Sequence, residues 1–138
     1  MKAYFGRRYT LSASHRLHCD ALTEEQNRAA YGKCNNPHGH NYVIEVLVGG
    51  QVAGETGMVV DLVALDSVVR KRVLERFDHT NLNLDALFTR AVPTTENLCS
   101  AVFGLLKDEM PAGALEYVRV EETENNFFEC YGAGIVPV

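Results

Sequence analysis

The 138-residue sequence contains no apolar run near the roughly 20 residues that a membrane-spanning helix needs, and its first residues do not resemble a secretion signal. We therefore expect a cytoplasmic protein that does not partner a membrane. Clustered basic residues are also scarce, since the longest run is Arg70-Lys71-Arg72 and the formal net charge is -5. Nucleic-acid-binding domains usually carry a basic face, so we expect no nucleic-acid partner.

Cysteine is equally sparse. The four cysteines are Cys19, Cys34, Cys99 and Cys130, and their wide, irregular spacing does not resemble a disulfide framework. Cys99 and Cys130 lie in apolar segments and are predicted to pack in the interior. Cys34 has the chemically interesting neighbours, because it lies four residues before a pair of histidines.

The length and composition fit one folded unit. The chain has 46% apolar and 22% charged residues, with no repeat and no linker. A chain of this size buries roughly two-thirds of its unfolded surface around one core. We therefore predict a single domain over residues 1–138.

Apolar periodicity predicts an α+β order of β-β-α-α-β-β. Alternation predicts strands over residues 4–15, from 38 onward, over 115–122 and over 127–131. A helix is predicted after Asp61 and another after Pro93, capped by Thr94 or Thr95. The first helix has an apolar stripe at Leu62, Leu65, Val69, Val73 and Phe77. We expect an antiparallel sheet with both helices on one face and edge strands that favour oligomerisation into a closed barrel.

His38-Gly39-His40 is the strongest local signal. Two histidines that are two residues apart on a strand point to the same side, where they can chelate a metal. His15 ends the first strand and would lie beside them if the two strands pair in antiparallel fashion. His18 is the competing third ligand, but it is already in the polar loop.

Three histidines without an obvious fourth protein ligand favour a catalytic zinc ion, because an open position can accept substrate oxygens. Two alternatives stay open at this point. The His-Gly-His sequence could be a solvated turn, or a structural zinc site could be completed by Cys19 or Cys34.

Two further groups could move protons. Cys34 lies near any metal held by His38. That metal, together with Lys33, would favour the thiolate form of Cys34, which could then act as a base. Alternatively, Cys34 is a fourth metal ligand or an ordinary loop thiol. Asp78-His79 ends the first predicted helix, and a carboxylate can orient an imidazole for proton transfer. A helix cap would explain that dipeptide equally well.

Polar residues near the second predicted helix and the third predicted strand could bind a ligand. One of Glu121 and Glu122 must face the interior, where a ligand edge with two parallel N–H groups would satisfy a carboxylate. Thr94-Thr95-Glu96 begins a helix and offers hydroxyl and backbone N–H groups. A solvated strand end and simple capping are the alternatives for these two features.

Six ordered blocks carry a resemblance over nearly the whole chain. The sequence resembles the family of 6-pyruvoyl-tetrahydropterin synthases and the related 6-carboxy-tetrahydropterin synthases of the queuosine pathway. The blocks are Ser12-Ala13-Ser14-His15, Gly32-Lys33-Cys34-Asn35-Asn36-Pro37-His38-Gly39-His40-Asn41-Tyr42, Thr56-Gly57-Met58-Val59-Val60-Asp61, Phe77-Asp78-His79-Thr80-Asn81-Leu82-Asn83, Pro93-Thr94-Thr95-Glu96-Asn97 and Glu122-Thr123-Glu124-Asn125-Asn126.

The resemblance implies a tunnelling fold in which three subunits close a twelve-stranded barrel and two trimers form a homohexamer. It implies that the substrate is 7,8-dihydroneopterin triphosphate and that the cofactor is zinc. The implied roles are zinc binding by His15, His38 and His40, proton transfer by Cys34, Asp78 and His79, and pterin binding by Glu122, Thr94, Thr95 and Glu96.

The spacing of the thiol distinguishes the two activities of the family. Cys34 lies four residues before His38, the spacing typical of the carboxy-forming enzymes, whereas the pyruvoyl-forming animal enzymes have six. We therefore predict a lyase that forms 6-carboxy-tetrahydropterin with loss of triphosphate and acetaldehyde. The pyruvoyl-forming activity of tetrahydrobiopterin synthesis is the first alternative. A non-catalytic pterin- or zinc-binding module and a metal-free aldolase are the others.

Overall fold

The computed structural model describes residues 1–111 and 114–132. Two long strands form its centre, β1 (Lys2–His15) and β2 (His38–Gln51). They pair in antiparallel fashion along their full lengths, from Lys2 opposite Gln51 to His15 opposite His38. The predicted alternation is confirmed, because every second side chain is buried from Leu11 to His15 in β1 and from Tyr42 to Val48 in β2.

The remaining strands complete a five-stranded sheet of order β3-β1-β2-β4-β5. The strands β4 (Ala114–Thr123) and β5 (Asn126–Cys130) form the predicted hairpin, and β4 pairs with β2 in antiparallel fashion. The two-residue strand β3 (Thr80–Asn81) was not predicted and pairs in parallel with the end of β1. The sheet is therefore antiparallel except at this edge. Strand β3 was not predicted because two residues are too few to show any periodicity.

In the described part of the chain, three α-helical regions accompany the sheet, whereas the sequence order predicted two. Helix α1 (Glu24–Tyr31) lies in the connection between β1 and β2. Thr23 and Gln26 form a reciprocal capping box at its start. Helix α4 (Thr95–Leu106) begins after the cap Thr94, as predicted. It ends at Leu106.

The long helix between β2 and β3 has three segments. It begins after the predicted cap Asp61 as α2 (Leu62–Val69), widens into a π-helical turn over Arg70–Leu74, and ends as α3 (Glu75–Phe77). Its buried residues are spaced four positions apart. Four residues of an α-helix turn through about 400°, so each buried residue would lie about 40° further around the helix axis than the one before it. The wider π turn absorbs this overshoot. The residues Leu65, Val69, Val73 and Phe77 all remain completely buried.

The core lies between the helices and one face of the sheet. It includes apolar residues of β2, of the long helix, of α4 and of β4, and Cys99 packs within it as predicted. No helix among residues 1–111 and 114–132 is both long enough and apolar enough to cross a membrane. On the helix-covered face of β1 and β2, the three histidines His15, His38 and His40 lie at one end of the pair, where the candidate site is found.

Candidate functional site

The three predicted histidines converge at the end of the β1–β2 pair. His15 is the last residue of β1, while His38 and His40 are the first and third residues of β2, and antiparallel pairing brings these positions side by side. Their ring centroids are 4.5 to 5.0 Å apart. One nitrogen of each ring lies within 4.8 Å of the corresponding nitrogens of the other two. This spacing suits three ligands of one metal ion.

Backbone carbonyls orient two of the rings. His15 Nδ1 lies 2.8 Å from the carbonyl oxygen of Pro93, and His38 Nδ1 lies 2.7 Å from that of Asn36. A carbonyl oxygen only accepts, so each Nδ1 carries the hydrogen and each Nε2 presents a lone pair. Such second partners are usual for metal-bound histidines.

The Nε2 atoms of His15, His38 and His40 are buried and have no hydrogen-bond partner among the described residues. Buried polar atoms rarely stay unsatisfied, so three of them facing one point fit a metal ion. Burial is the main factor that lowers the pKa of His15 and of His40, which keeps both imidazoles neutral and able to act as ligands. The donor set therefore fits zinc, with a fourth position left for another ligand.

The competing ligands lie outside this cluster. His18 Nε2 is instead 3.2 Å from a carboxylate oxygen of Asp20. Within the part of the chain that the structure describes, the group able to hold a metal comprises only the three histidines, and neither Cys19 nor Cys34 joins it. The structure thus brings His15, and not His18, beside His38 and His40, and among the described residues no cysteine lies in that group.

Glu122 is the nearest carboxylate to the cluster. It lies near the end of β4, and its Oε2 is 3.9 Å from His40 Nε2. Its carboxylate accepts hydrogen bonds from the hydroxyl of Thr95 and, at 3.1 Å, from the side-chain amide of Asn126. Burial alone would raise the pKa of Glu122, but these hydrogen bonds and the nearby histidines hold it below its usual value. Glu122 is thus an ionised acceptor beside the metal cluster.

The predicted ligand-binding residues at the start of α4 differ in their contacts. The hydroxyl of Thr94 accepts the backbone N–H of Asn97 at 3.2 Å and therefore caps the helix. Thr95 is buried, and its hydroxyl donates to Glu122. Glu96 is exposed in the first helical turn. In the single chain, Thr95 therefore supports the carboxylate, while Thr94 acts as a cap.

The cysteine lies on the chain segment that leads into β2. Cys34 belongs to a 3-10 turn over Gly32–Asn35, and its side chain is exposed. The backbone N–H of Leu17 donates to the carbonyl oxygen of Cys34 at 2.9 Å. The buried Asn35 donates through its amide to the Leu17 carbonyl at 3.0 Å. These bonds fix the turn against the segment that follows His15.

Asp78 and His79 lie where the chain passes from the long helix to β3. The backbone N–H of Ser12 donates to Asp78 Oδ1 at 2.8 Å, and this bond is the main factor that lowers the pKa of Asp78. His79 Nδ1 lies 3.0 Å from the same oxygen, so the carboxylate of Asp78 is in position to orient the imidazole. His79 has a positive φ of 60°, which an L-residue rarely adopts, and its backbone N–H donates to the Ser12 carbonyl.

His79 is exposed and lines an open cavity of about 490 Å³. The cavity is also lined by Ser12, Ser14 and Asn41, whose positions alternate with those of the metal cluster, and by His40 of the cluster itself. Cys34 does not line this cavity. The single chain therefore does not place the predicted thiol and the predicted imidazole in one cavity.

Tyr42 is a residue of the site that the sequence patterns did not single out. It is completely buried, its hydroxyl lies 3.3 Å from His15 Nδ1, and its ring packs edge-on against His40. Burial, together with the charge of Glu122, raises its pKa, so the hydroxyl stays protonated. The signal was present, because residues 38, 40 and 42 share one face of β2.

Comparison with known proteins finds a family that spans most of the chain. The family model for 6-pyruvoyl tetrahydropterin synthase matches residues 4–133. The 6-pyruvoyl tetrahydrobiopterin synthase of Homo sapiens is 41% identical over 128 residues, which cover 91% of this chain and 88% of that protein. A putative 6-carboxy-5,6,7,8-tetrahydropterin synthase of Archaeoglobus fulgidus is 38% identical over 97 residues, covering 70% of this chain and 77% of that one.

The fold comparison is equally extensive. The solved structure of Caenorhabditis elegans 6-pyruvoyl tetrahydropterin synthase superimposes with a TM-score of 0.91 at 39% identity, covering 96% of each chain. This likeness confirms the predicted tunnelling fold of the subunit. The chain belongs to the 6-pyruvoyl tetrahydropterin synthase family.

Proposed function

We propose that this protein is a zinc-dependent lyase that eliminates triphosphate from 7,8-dihydroneopterin triphosphate and forms 6-pyruvoyl-tetrahydropterin. The observation that carries the proposal is the convergence of three unpartnered histidine Nε2 atoms beside the carboxylate of Glu122. The cluster can hold a metal, and the carboxylate can accept from a pterin. Membership of the family supplies the substrate class.

Similarity to the named relatives favours the pyruvoyl-forming product. Those named 6-pyruvoyl synthases match about nine-tenths of this chain at about 40% identity, as the human protein does. Those named 6-carboxy synthases match less of it, such as the Bacillus subtilis protein with 31% identity over 55% of this chain. The carboxy-forming activity predicted from the position of Cys34 is therefore less well supported. It remains the second candidate because the four-residue interval to His38 still favours it.

Each protein group has a separate task in the proposed reaction. Glu122, kept ionised by Thr95 and Asn126, accepts two parallel N–H groups from the guanidine-like edge of the pterin and so fixes the ring. His15, His38 and His40 hold the metal. Zinc bound there supplies a Lewis acid that makes the C–H and O–H groups of a coordinated side chain more acidic. Cys34 acts as the base for a side-chain proton, and His79, oriented by Asp78, moves a second proton.

The separation of Cys34 and His79 in one chain favours a site that is shared between subunits. Among residues 1–111 and 114–132, nothing pairs with most of the β1 edge that faces away from β2, because β3 pairs only with Ala13 and Ser14. The strand β5 is the other edge of the sheet. We propose that copies of the chain associate through these edges into a hexamer, which light scattering after size-exclusion chromatography measures directly.

Product analysis tests the function. The zinc-loaded protein is incubated with 7,8-dihydroneopterin triphosphate, and the products are identified by mass spectrometry. Triphosphate and 6-pyruvoyl-tetrahydropterin without acetaldehyde are expected, whereas acetaldehyde with the 6-carboxy product would establish the second candidate. Turnover that persists after chelation would show a metal-free aldolase. No turnover on any dihydropterin would indicate a binding module.

The matched variant is Cys34→Ala. Its side chain is exposed and its turn is held by backbone and Asn35 contacts, so folding and zinc content should be unchanged. We expect turnover to fall at least a hundredfold, within the range for loss of a general base. Full turnover with normal zinc content would remove Cys34 from the mechanism.

A further inference from the structure

The carbonyl that orients His15 belongs to a short loop that precedes α4. Pro93 is buried, and its carbonyl oxygen lies 2.8 Å from His15 Nδ1. A proline has no backbone N–H, so its burial here leaves no donor unsatisfied. The metal ligand at the end of β1 therefore takes its orientation from a loop that lies 78 residues further along the chain.

The loop around Pro93 is a closed γ-turn. The backbone N–H of Thr94 donates to the carbonyl oxygen of Val92 at 2.8 Å, and a bond between residues two apart defines this turn. The proline ring holds φ at about −65°, close to the roughly −75° of the central residue in an inverse γ-turn. The peptide between Pro93 and Thr94 is trans, so its oxygen points opposite to its N–H. Closing the turn therefore directs the Pro93 carbonyl outward, where it meets His15.

Asn97, in the first turn of α4, strengthens the same γ-turn. Its side-chain amide donates to the Val92 carbonyl oxygen at 2.8 Å, so that oxygen accepts two hydrogen bonds. Its backbone N–H donates separately to the hydroxyl of Thr94 at 3.2 Å. Buried side chains of α4, including the completely buried Leu98, fix the helix in the core. The Asn97 amide therefore ties the γ-turn to a firmly packed element.

We propose that Asn97 is a positioning residue of the metal site, which keeps the Pro93 carbonyl aimed at His15. The proposal rests on the metal site of the function proposed above. Without the Asn97 amide, the Val92 carbonyl loses one of its two hydrogen bonds, and the turn holds the Pro93 carbonyl less firmly. The Tyr42 hydroxyl lies 3.3 Å from His15 Nδ1, too far to replace the 2.8 Å bond fully. The imidazole is then less well oriented for a metal.

Zinc affinity gives the first test. The dissociation constant for Zn²⁺ alone is measured by competition with a chromophoric chelator. Asn97→Asp keeps the shape of the side chain and suits the first turn of a helix, but its carboxylate cannot donate. We expect Zn²⁺ to bind this variant about tenfold more weakly than the unaltered protein, the lower end of the effects of losing an outer partner. Asn97→Ala removes the donor without adding a charge and should weaken binding similarly.

Asn27→Ala is the matched control. The buried Asn27 also holds a loop through its side-chain amide, which donates to the carbonyl oxygens of Cys19 and Thr23 at 3.1 Å. That loop supplies no acceptor to the three histidines in the described structure, so the Zn²⁺ affinity should change by less than about twofold.

A second measurement separates positioning from general loosening of the fold. In the ¹⁵N-labelled, zinc-loaded protein, NMR follows the exchange of the His15 Nδ1–H with water, which its hydrogen bond slows. We expect this exchange to be at least about tenfold faster in Asn97→Asp and Asn97→Ala, and unchanged in Asn27→Ala. His38 Nδ1 lies 2.7 Å from the Asn36 carbonyl oxygen, outside the γ-turn, and its N–H is an internal reference that should not change.

The outcomes separate this proposal from the proposed function. Unchanged Zn²⁺ affinity in folded Asn97→Asp and Asn97→Ala proteins would overturn the positioning role and leave the lyase proposal standing. An equal loss of affinity in Asn27→Ala would also overturn it, as would weaker binding with an unchanged exchange rate of the His15 Nδ1–H. If the unaltered protein binds no Zn²⁺ at the three histidines, the proposed function and the positioning role fail together.

Discussion

Replacing Asp85 by Asn should loosen the segment that carries His79. Asp85 accepts two hydrogen bonds from the Arg76 guanidinium, at 2.9 and 3.0 Å, and a third from the backbone N–H of Leu87 at 2.9 Å. Arg76 precedes the Asp78-His79 pair and Asp85 follows β3. The ion pair therefore closes the loop that presents the imidazole.

The structure sets the size of the expected effect. The side chain of Asp85 is 13% exposed and that of Arg76 is 31% exposed, so water screens the pair only partly. A hydrogen bond to a charged group contributes roughly 1.5–3 kcal/mol when it is well shielded. Since Asn retains one acceptor oxygen and Arg76 is partly solvated, we expect a loss of about 1–2 kcal/mol in the free energy of unfolding.

The pH dependence gives an independent check. Burial alone would raise the pKa of Asp85, but the Arg76 and Leu87 hydrogen bonds outweigh it and hold the pKa below its usual value. A carboxyl whose pKa is lowered on folding stabilises the protein above its unfolded pKa, which is about 3.9, and this stabilisation is lost as the pH falls through the folded value. The difference between the unaltered protein and Asp85→Asn should therefore be full at pH 7 and shrink below about pH 4.

The measurement is urea unfolding of both proteins at several pH values. Glu109→Gln is the matched control, because it breaks the Arg72–Glu109 pair, whose side chains are 53% and 41% exposed. That control should change the free energy by less than about 0.5 kcal/mol. A difference for Asp85→Asn that stays constant from pH 7 to pH 3 would refute the electrostatic explanation.

Three other changes have expected outcomes. His38→Ala should abolish stoichiometric zinc binding measured by atomic emission, whereas His18→Ala, outside the cluster, should retain it; equal loss in both would refute the assigned ligands. Phe77→Ala empties a completely buried position and should cost about 3–5 kcal/mol in urea unfolding, so a cost below about 1 kcal/mol would contradict the packing. Thr94→Ala removes the cap of α4 and should cost about 1 kcal/mol, while Thr94→Ser should cost much less; equal losses would disprove capping.

The metal cluster was predictable because it depends on two simple periodicities. Strand alternation places His38 and His40 on one face, and antiparallel pairing of two adjacent strands brings His15 beside them. The same alternation made it clear that one of Glu121 and Glu122 faces inward, and the structure shows that it is Glu122. Glu121 instead lies 3.7 Å from Arg119. Patterns of period two thus determined most of this site.

Other features depend on contacts between distant segments, which one sequence does not encode locally. Thr95 was predicted to bind a ligand, but its burial and its bond to Glu122 arise only when α4 packs against β4. The role of Tyr42 depends on its distance from His15. The parallel strand β3 exists because Ser12 holds both Asp78 and His79 through its backbone, and backbone hydrogen bonds leave no signature in the side chains.

The π-helical turn at Arg70–Leu74 has a consequence for insertions and deletions. A π turn contains one residue more than the α-helical turn that would join the same two ends. Removing the exposed Lys71 should therefore convert the turn to α-helix and leave Phe77 and Asp78 in place. The segment Leu62–Val69 contains no extra residue of this kind. Removing one residue there would rotate the rest of the helix by about 100° around its axis. This one turn is thus where the helix can change its length without moving the acidic residue that orients His79.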